Sequence, residues 1–138
     1  MGLFTGIKST FKKTEAAVVV RNLLELQVRV GFFHSDPAKV ANSLVAAVWD
    51  QKPDMFDGSF GQRPHKLSVA AVALAGGIEN MEEENPDRAG LAISLANLLS
   101  EIEVNGRFYP LNGIDEELLG IAVVVFNGLG YSSRPATS

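Results

Sequence analysis

Residues 67–78, LSVAAVALAGGI, restrict the fold of this chain more than any other stretch. The segment contains no charged residue, and half of its positions are alanine or glycine. A helix that is apolar on every side belongs in the interior of a domain. The segment is also well short of the roughly 18 apolar residues that a membrane span requires. We therefore expect a central helix whose small side chains let its neighbours approach closely.

Two segments before this helix carry apolar residues at helical spacing. The second helix is predicted over residues 37–50, with Ser35 or Asp36 as its N-cap and Pro37 as its first residue. The predicted buried stripe of this second helix is Val40, Ala41, Leu44, Val45, Val48 and Trp49. In the first helix, residues 14–33, Gly31 weakens or ends the last turn. Its predicted buried stripe is Val19, Leu23, Leu26, Val30 and Phe33, widened by Val20 and Leu24.

Two more helices are predicted after the central one. Asn85 as cap, Pro86 as first residue and Asp87 near the positive end of the dipole mark the start of the next helix. Its apolar stripe is Leu91, Ala92, Leu95, Leu98, Leu99 and Ile102. The last helix begins at Asp115, where acidic residues in the first turn suit the helix dipole.

The segment 102–109 permits two interpretations. Asn105 and Gly106 could end the preceding helix through a left-handed residue. They could instead form the two-residue turn of a short hairpin that pairs residues 102–104 with 107–109. We favour the helix end, because the preceding apolar period is helical and an isolated hairpin of this length is only marginally stable.

These patterns predict an all-α fold, a compact bundle of about five helices. Residues 1–13 are expected to form a basic amphipathic N-terminal arm, residues 14–130 a single helical domain, and residues 131–138 a flexible tail. A chain of 138 residues has the length of one ordinary domain. One long loop, about residues 51–65, stands out among otherwise short connections.

The sequence lacks the residue patterns of the common catalytic and metal sites. It contains no cysteine, and its two histidines, His34 and His65, stand in neither an ExxH nor an HxxxH spacing. The glycine-rich phosphate motifs and the GxSxG nucleophile motif are also absent. We accordingly predict no catalytic residue, no metal ligand and no cofactor, and an enzyme remains the less favoured class.

Charge is distributed unevenly along the chain. The net charge is −4, but residues 1–30 carry five basic and two acidic side chains, or +3, whereas residues 79–117 carry ten acidic and two basic ones, or −8. An acidic balance argues against nucleic acid, whose binding rests on clustered cations. We interpret the run Glu79, Glu82, Glu83, Glu84 and Asp87 as a solvated corner that would attract a basic protein partner.

The long loop is the first candidate for function. Loops longer than about 12 residues without regular structure are uncommon in compact domains and are often functional. Aromatic and methionine side chains bring a large contact area to protein interfaces, so the predicted partner-binding residues are Met55, Phe56, Phe60 and Arg63. Two alternatives stay open: the loop covers the bundle as a plug, or Asp54, Asp57 and His65 form the acid/base site of a small enzyme or ligand-binding bundle.

The N-terminal arm is the second candidate. Its apolar residues fall on one side of a helix and its lysines on or near the other; these residues are Leu3, Phe4, Ile7, Lys8, Phe11, Lys12 and Lys13. Such a segment can lie on an anionic membrane surface. Because the arm is short, packing within the molecule or in a dimer is favoured over membrane binding.

Taken together, these features favour a non-catalytic protein–protein interaction or regulatory module. The apolar run 16–20 stops at Arg21 and is too short for the core of a signal peptide, so we expect a cytoplasmic protein. A hydrophobic share of 46% in so small a chain is compatible with self-association. Peripheral membrane association through the arm is the third alternative.

The arm hypothesis is tested by cosedimentation with vesicles that contain anionic lipid. Because we favour packing of the arm against protein, we expect the intact chain to remain in the supernatant. Binding that is lost when residues 2–13 are deleted would instead assign the arm to a membrane surface.

Overall fold

The structure is a computed structural model that describes the backbone of residues 3–51 and 64–128 and the side chains of residues 14–51 and 64–128. Over these ranges the chain forms five α-helices and no strand: α1 (Leu3–Arg29), α2 (Pro37–Gln51), α3 (Lys66–Glu79), α4 (Arg88–Asn105) and α5 (Gly113–Gly128). A 3-10 turn, Gly106–Phe108, follows α4. The predicted all-α bundle is confirmed. Most of the predicted long loop and the predicted tail lie outside the described residues.

Helix α3 occupies the centre of the bundle, as its composition predicts. It packs against each of the other four helices, and its side chains are buried continuously from Leu67 to Ala75. Each side of an apolar helix must be covered by another element to keep it from water. The remaining helices are therefore arranged around α3.

Helix α1 begins earlier than predicted, and it ends just before Gly31, the residue predicted to weaken or end its last turn. It begins at Leu3, so the arm and the predicted first helix form one continuous helix. It ends at Arg29, and Gly31 follows with φ +85°. The amide N–H groups of Gly31 and Phe32 donate to the carbonyl oxygens of Val28 and Gln27 at 3.2 and 2.8 Å. This is the Schellman arrangement, in which glycine supplies the left-handed residue that closes a helix.

The buried side of α1 was predicted only in part: Val20 and Leu24 are buried as expected, and Val19 and Leu23 pack against the core. Leu26 and Val30 are 50% and 61% exposed. The buried residues of α1 are Ala16, Ala17, Val20, Leu24 and Gln27. Apolar residues occur on several sides of this helix, so periodicity alone does not select one, and the side with two alanines permits the closest packing. Phe33 is buried as predicted, although it follows the helix.

Helix α2 agrees with its prediction. Asp36 is the N-cap, and its Oδ1 accepts hydrogen bonds from the amides of Ala38 and Lys39 at 3.0 and 3.4 Å. This satisfies two of the amides that the first turn of a helix leaves without an intrahelical acceptor. The predicted stripe faces the core, with Ala41, Val45, Val48 and Trp49 buried and Val40 and Leu44 packed against them.

The boundaries of α4 required two corrections. The helix begins at Arg88 instead of Pro86, because Asn85 Oδ1 accepts from the Asp87 amide at 2.9 Å and forms a separate turn before the helix. The alternative hairpin near 102–109 is wrong: α4 continues to Asn105 and passes into the 3-10 turn. Gly106 is right-handed, with φ −57°, so no left-handed residue ends this helix.

The start of α4 makes a close backbone contact with the segment that follows α1. A Cβ atom at Gly90 would lie 2.4 Å from the carbonyl oxygen of Phe32 and 3.1 Å from the Cβ of Phe33. A backbone atom cannot move aside as the end of a flexible side chain can. Glycine is therefore required at this position for α4 to pack against the end of α1.

This contact predicts that Gly90→Ala destabilises the protein by about 3 kcal/mol, the upper end of the cost of overpacking. Gly120→Ala is the matched control, since a Cβ at Gly120 would meet nothing within 4 Å. In the control, the higher helix propensity of alanine should stabilise the fold by about 0.5–1 kcal/mol. Urea denaturation of both variants measures the difference, and equal stabilities would contradict the contact.

Candidate functional site

A cleft of about 430 Å³ runs along α3 between α2 and α5. The two flanking helices both pack on α3 and leave part of its surface open between them. The wall from α2 contains residues one helical turn apart: Leu44, Ala47, Val48 and Gln51. The wall from α5 contains Ile121 and Val125. The floor runs from Val72 of α3 to Asn80, the residue that follows α3.

Two adjacent glycines give the floor of the cleft its shape. A Cβ at Gly77 would lie only 2.7 Å from Cδ2 of Leu44, so α2 approaches α3 closely there. A Cβ at Gly76 would meet nothing within 4 Å. Gly77 thus permits helix packing, whereas Gly76 leaves open space above the floor. The sequence predicted both residues only as part of a small, buried surface.

One end of the cleft is acidic. Glu79 and Glu82 line it, and no lysine or arginine does so among the described residues. Glu83 and Glu84 follow in sequence and are exposed. The four glutamates confirm the predicted solvated corner. Within the ranges that the structure covers, no group of three or more His, Asp or Glu side chains is placed to hold a metal ion.

Asp87 departs from the prediction for this corner. The side chain is only 6% exposed, and its Oδ1 accepts from the His34 amide at 2.6 Å. Its Oδ2 accepts from the Ser35 hydroxyl. Asp87 therefore fixes the connection between α1 and α2 to the start of α4, which is a structural role. The sequence predicted a solvated acid at this position. It could not show otherwise, because hydrogen bonds between residues more than 50 positions apart leave no pattern in the sequence.

A second buried carboxylate, Asp115, joins the N-terminal ends of α3 and α5. The residue is fully buried. Its Oδ1 accepts from the His65 amide at 2.5 Å and from the Ser68 hydroxyl, and its Oδ2 accepts from the Asn112 amide at 2.9 Å. Asn112 Oδ1 in turn accepts from the amides of Ile114 and Asp115 at 3.0 and 3.2 Å. This reciprocal pair is a capping box.

Ser68, His65 and Asp115 bring together the three residue types of a hydrolase triad, but in a different arrangement. In a triad the histidine ring stands between the hydroxyl and the carboxylate. Here Asp115 contacts Ser68 directly and contacts His65 through its backbone. His65 Nδ1 accepts from the Leu67 amide at 3.1 Å as the N-cap of α3, and Ser68 is fully buried. The cluster holds two helix ends together.

His65 lies at the same end of the bundle as Tyr109. The two ring centroids are 5.6 Å apart with an interplanar angle of 41°. The Tyr109 hydroxyl donates to Glu101 Oε1 at 2.8 Å. This hydrogen bond raises the pKa of the phenol above its usual 10.0, with smaller contributions from desolvation and the charge of Glu101. The His65 ring thus contacts the Leu67 amide and the Tyr109 ring, and both contacts are structural.

The structure leaves the other predicted site residues untested. The loop residues Met55, Phe56, Phe60 and Arg63 lie outside the described residues, as do Asp54 and Asp57. Helix α1 includes the arm residues from Leu3 to Lys13, but their side chains are outside the described set. The Asn112–Asp115 spacing is a capping-box pattern, so that cap could have been found in the sequence.

Comparison of the chain with protein-family models, with curated proteins and with solved structures finds no match. In the part of the chain that the structure describes, none of the helices has both the length and the apolar character needed to cross a membrane.

The buried carboxylate generates a stability prediction. Asp115→Ala should destabilise the protein by about 3 kcal/mol, because it leaves buried donors without an acceptor and removes hydrogen bonds to a charged group. Glu116→Ala is the control; Glu116 is also a first-turn acid but is exposed, so its loss should cost about 0.5 kcal/mol. Urea denaturation measures both, and similar losses would reject the role assigned to Asp115.

Proposed function

We propose that this protein is a non-catalytic interaction module that binds a segment of another protein in the cleft between α2, α3 and α5. The observation that carries the proposal is the open apolar cleft itself. Its walls present Val48 from α2 and, one turn apart on α5, Ile121 and Val125, and Gly76 leaves space above the floor. Concave apolar surfaces with few polar groups are typical binding sites.

The surroundings of the cleft support a role in binding. Val124 is 71% exposed and stands next to Val125 on α5, three residues from Ile121, so it extends the apolar wall outwards. Gln51, the last described residue of α2, lines the cleft. The segment with the predicted anchors Met55, Phe56, Phe60 and Arg63 follows Gln51 in sequence. Those anchors remain part of the proposal as a second contact.

The alternative of an enzyme or ligand-binding bundle has less support. The cleft has a volume within the range of small-molecule pockets, about 300–1,000 Å³. The predicted acid/base residue His65, however, lies before the start of α3, about 10 Å along the helix axis from Val72. The described polar side chains that converge, Ser68 and Asp115, bind each other and the backbone.

The proposal predicts that filling the cleft abolishes binding without unfolding the protein. Gly76→Leu places a side chain in the open space above the floor and replaces a helical glycine, so it should preserve or raise the melting temperature. Gly120→Leu is the matched control, because Gly120 also has open space around its Cβ but does not line the cleft.

Affinity pull-down from the native cell compares these two variants with the intact protein and with Phe56→Ala/Phe60→Ala. We expect Gly76→Leu to lose a specific partner, with affinity falling at least about tenfold, or about 1.4 kcal/mol. Gly120→Leu should retain that partner. An identical set of partners for all the variants would reject the cleft and the loop as binding surfaces.

A further inference from the structure

We infer that the occupant of the cleft is an amphipathic α-helix that carries basic residues at the end placed over the C-terminus of α3. The inference rests on the proposed function and specifies the chemistry of the partner. Three features of the described residues support it: the geometry of the cleft, the small residues of its floor, and the sign of its charge.

The geometry suits a helix. Helices α2 and α5 flank α3, so a further helix lying over α3 would contact both walls and complete the layer. The floor extends from Val72 to Asn80, about 12 Å along the axis of α3. This length corresponds to about two turns of a bound helix, enough for apolar anchors at positions i, i+3, i+4 and i+7.

The floor permits close approach. Helices in contact lie about 8–10 Å apart, and the distance depends on the side chains between them. Ala73, Gly76 and Gly77 all line the cleft, and a Cβ at Gly76 would meet no atom within 4 Å. A large apolar side chain from a partner helix can therefore enter above Gly76.

The charge of the cleft selects the partner. Glu79 and Glu82 line the end of the cleft where α3 terminates, and each described charged residue in the lining is acidic. The C-terminus of α3 adds partial negative charge from its last carbonyl groups. The rest of the described lining carries no charge. The field therefore attracts cations to one end and leaves the other end to apolar contact.

The same charge disfavours other occupants. An anionic lipid or a nucleic acid would bring its phosphates towards Glu79 and Glu82, where like charges repel. Arginine and lysine can extend their apolar stems along the walls and hold their charged groups near the rim. A basic amphipathic helix uses both the apolar walls and the acidic end.

The test measures binding of two synthetic peptides by fluorescence anisotropy. Both peptides are amphipathic helices with leucine on the apolar side; one carries lysine on the polar side and the other carries glutamate. We expect the intact protein to bind the lysine peptide at least about tenfold more tightly. This preference should shrink between about 0.01 M and about 1 M salt, over which the screening length falls from about 30 Å to about 3 Å.

Variants assign the preference to the cleft. Glu79→Gln/Glu82→Gln should weaken binding of the lysine peptide by about three- to tenfold, as expected for two partly exposed ion pairs. Glu116→Gln/Glu117→Gln is the matched control, because these exposed acids on α5 do not line the cleft. Circular dichroism confirms that each variant is folded. Equal binding of both peptides, or an unchanged preference after Glu79→Gln/Glu82→Gln, would overturn the inference.

Gly76→Leu separates this inference from the proposed function. If the intact protein binds both peptides equally and Gly76→Leu loses both, the cleft binds helices without selecting charge. That result overturns the inference alone. If neither peptide binds the intact protein although Gly76→Leu loses the native partner, the inference alone is likewise overturned. Sedimentation equilibrium addresses self-association: an intact protein that dimerises and a Gly76→Leu variant that is monomeric would identify the occupant as a second copy and overturn the inference.

Discussion

The burial of α3 is the constraint on which the rest of the structure depends. A helix with apolar residues on all sides must be covered on all sides, because apolar surface stabilises the fold only where it is removed from water. Helices α1, α2, α4 and α5 provide that cover. Four neighbours fit around one helix when its side chains are small, and alanine and glycine make up half of residues 67–78.

The cleft follows from the same constraint. Helix α2 approaches α3 closely at Gly77, where Leu44 occupies the space that a side chain would need. Helix α5 lies on the other side, and Gly76 between them remains partly uncovered. The feature that makes α3 easy to surround, its lack of large side chains, thus leaves an open floor where two neighbours do not meet. The small side chains of α3 thus account both for the packing of its neighbours and for the cleft that is proposed to bind a partner.

Two buried aspartates hold the ends of the bundle in register. Asp87 connects the turn before α2 to the start of α4, and Asp115 connects the start of α3 to the start of α5. Each carboxylate accepts backbone and hydroxyl hydrogen bonds near a helix N-terminus, where negative charge is favoured. Buried charges are tolerated when their hydrogen bonds are satisfied in this way. The bundle therefore combines non-directional apolar packing with a few directional contacts.

The sequence by itself determined the helical class, the central place of α3, the buried stripes of α2 and α4, and the ends marked by Gly31 and Asp36. These features depend on periodicity and capping, which involve residues close together in the chain. Tertiary structure decided which side of α1 is buried, the roles of Asp87 and Asp115, and the existence of the cleft. The apolar residues of α1 allow several buried sides, and the two aspartates bind partners about 50 residues away. A space between three helices has no pattern in any one of them, so only their packing could reveal it.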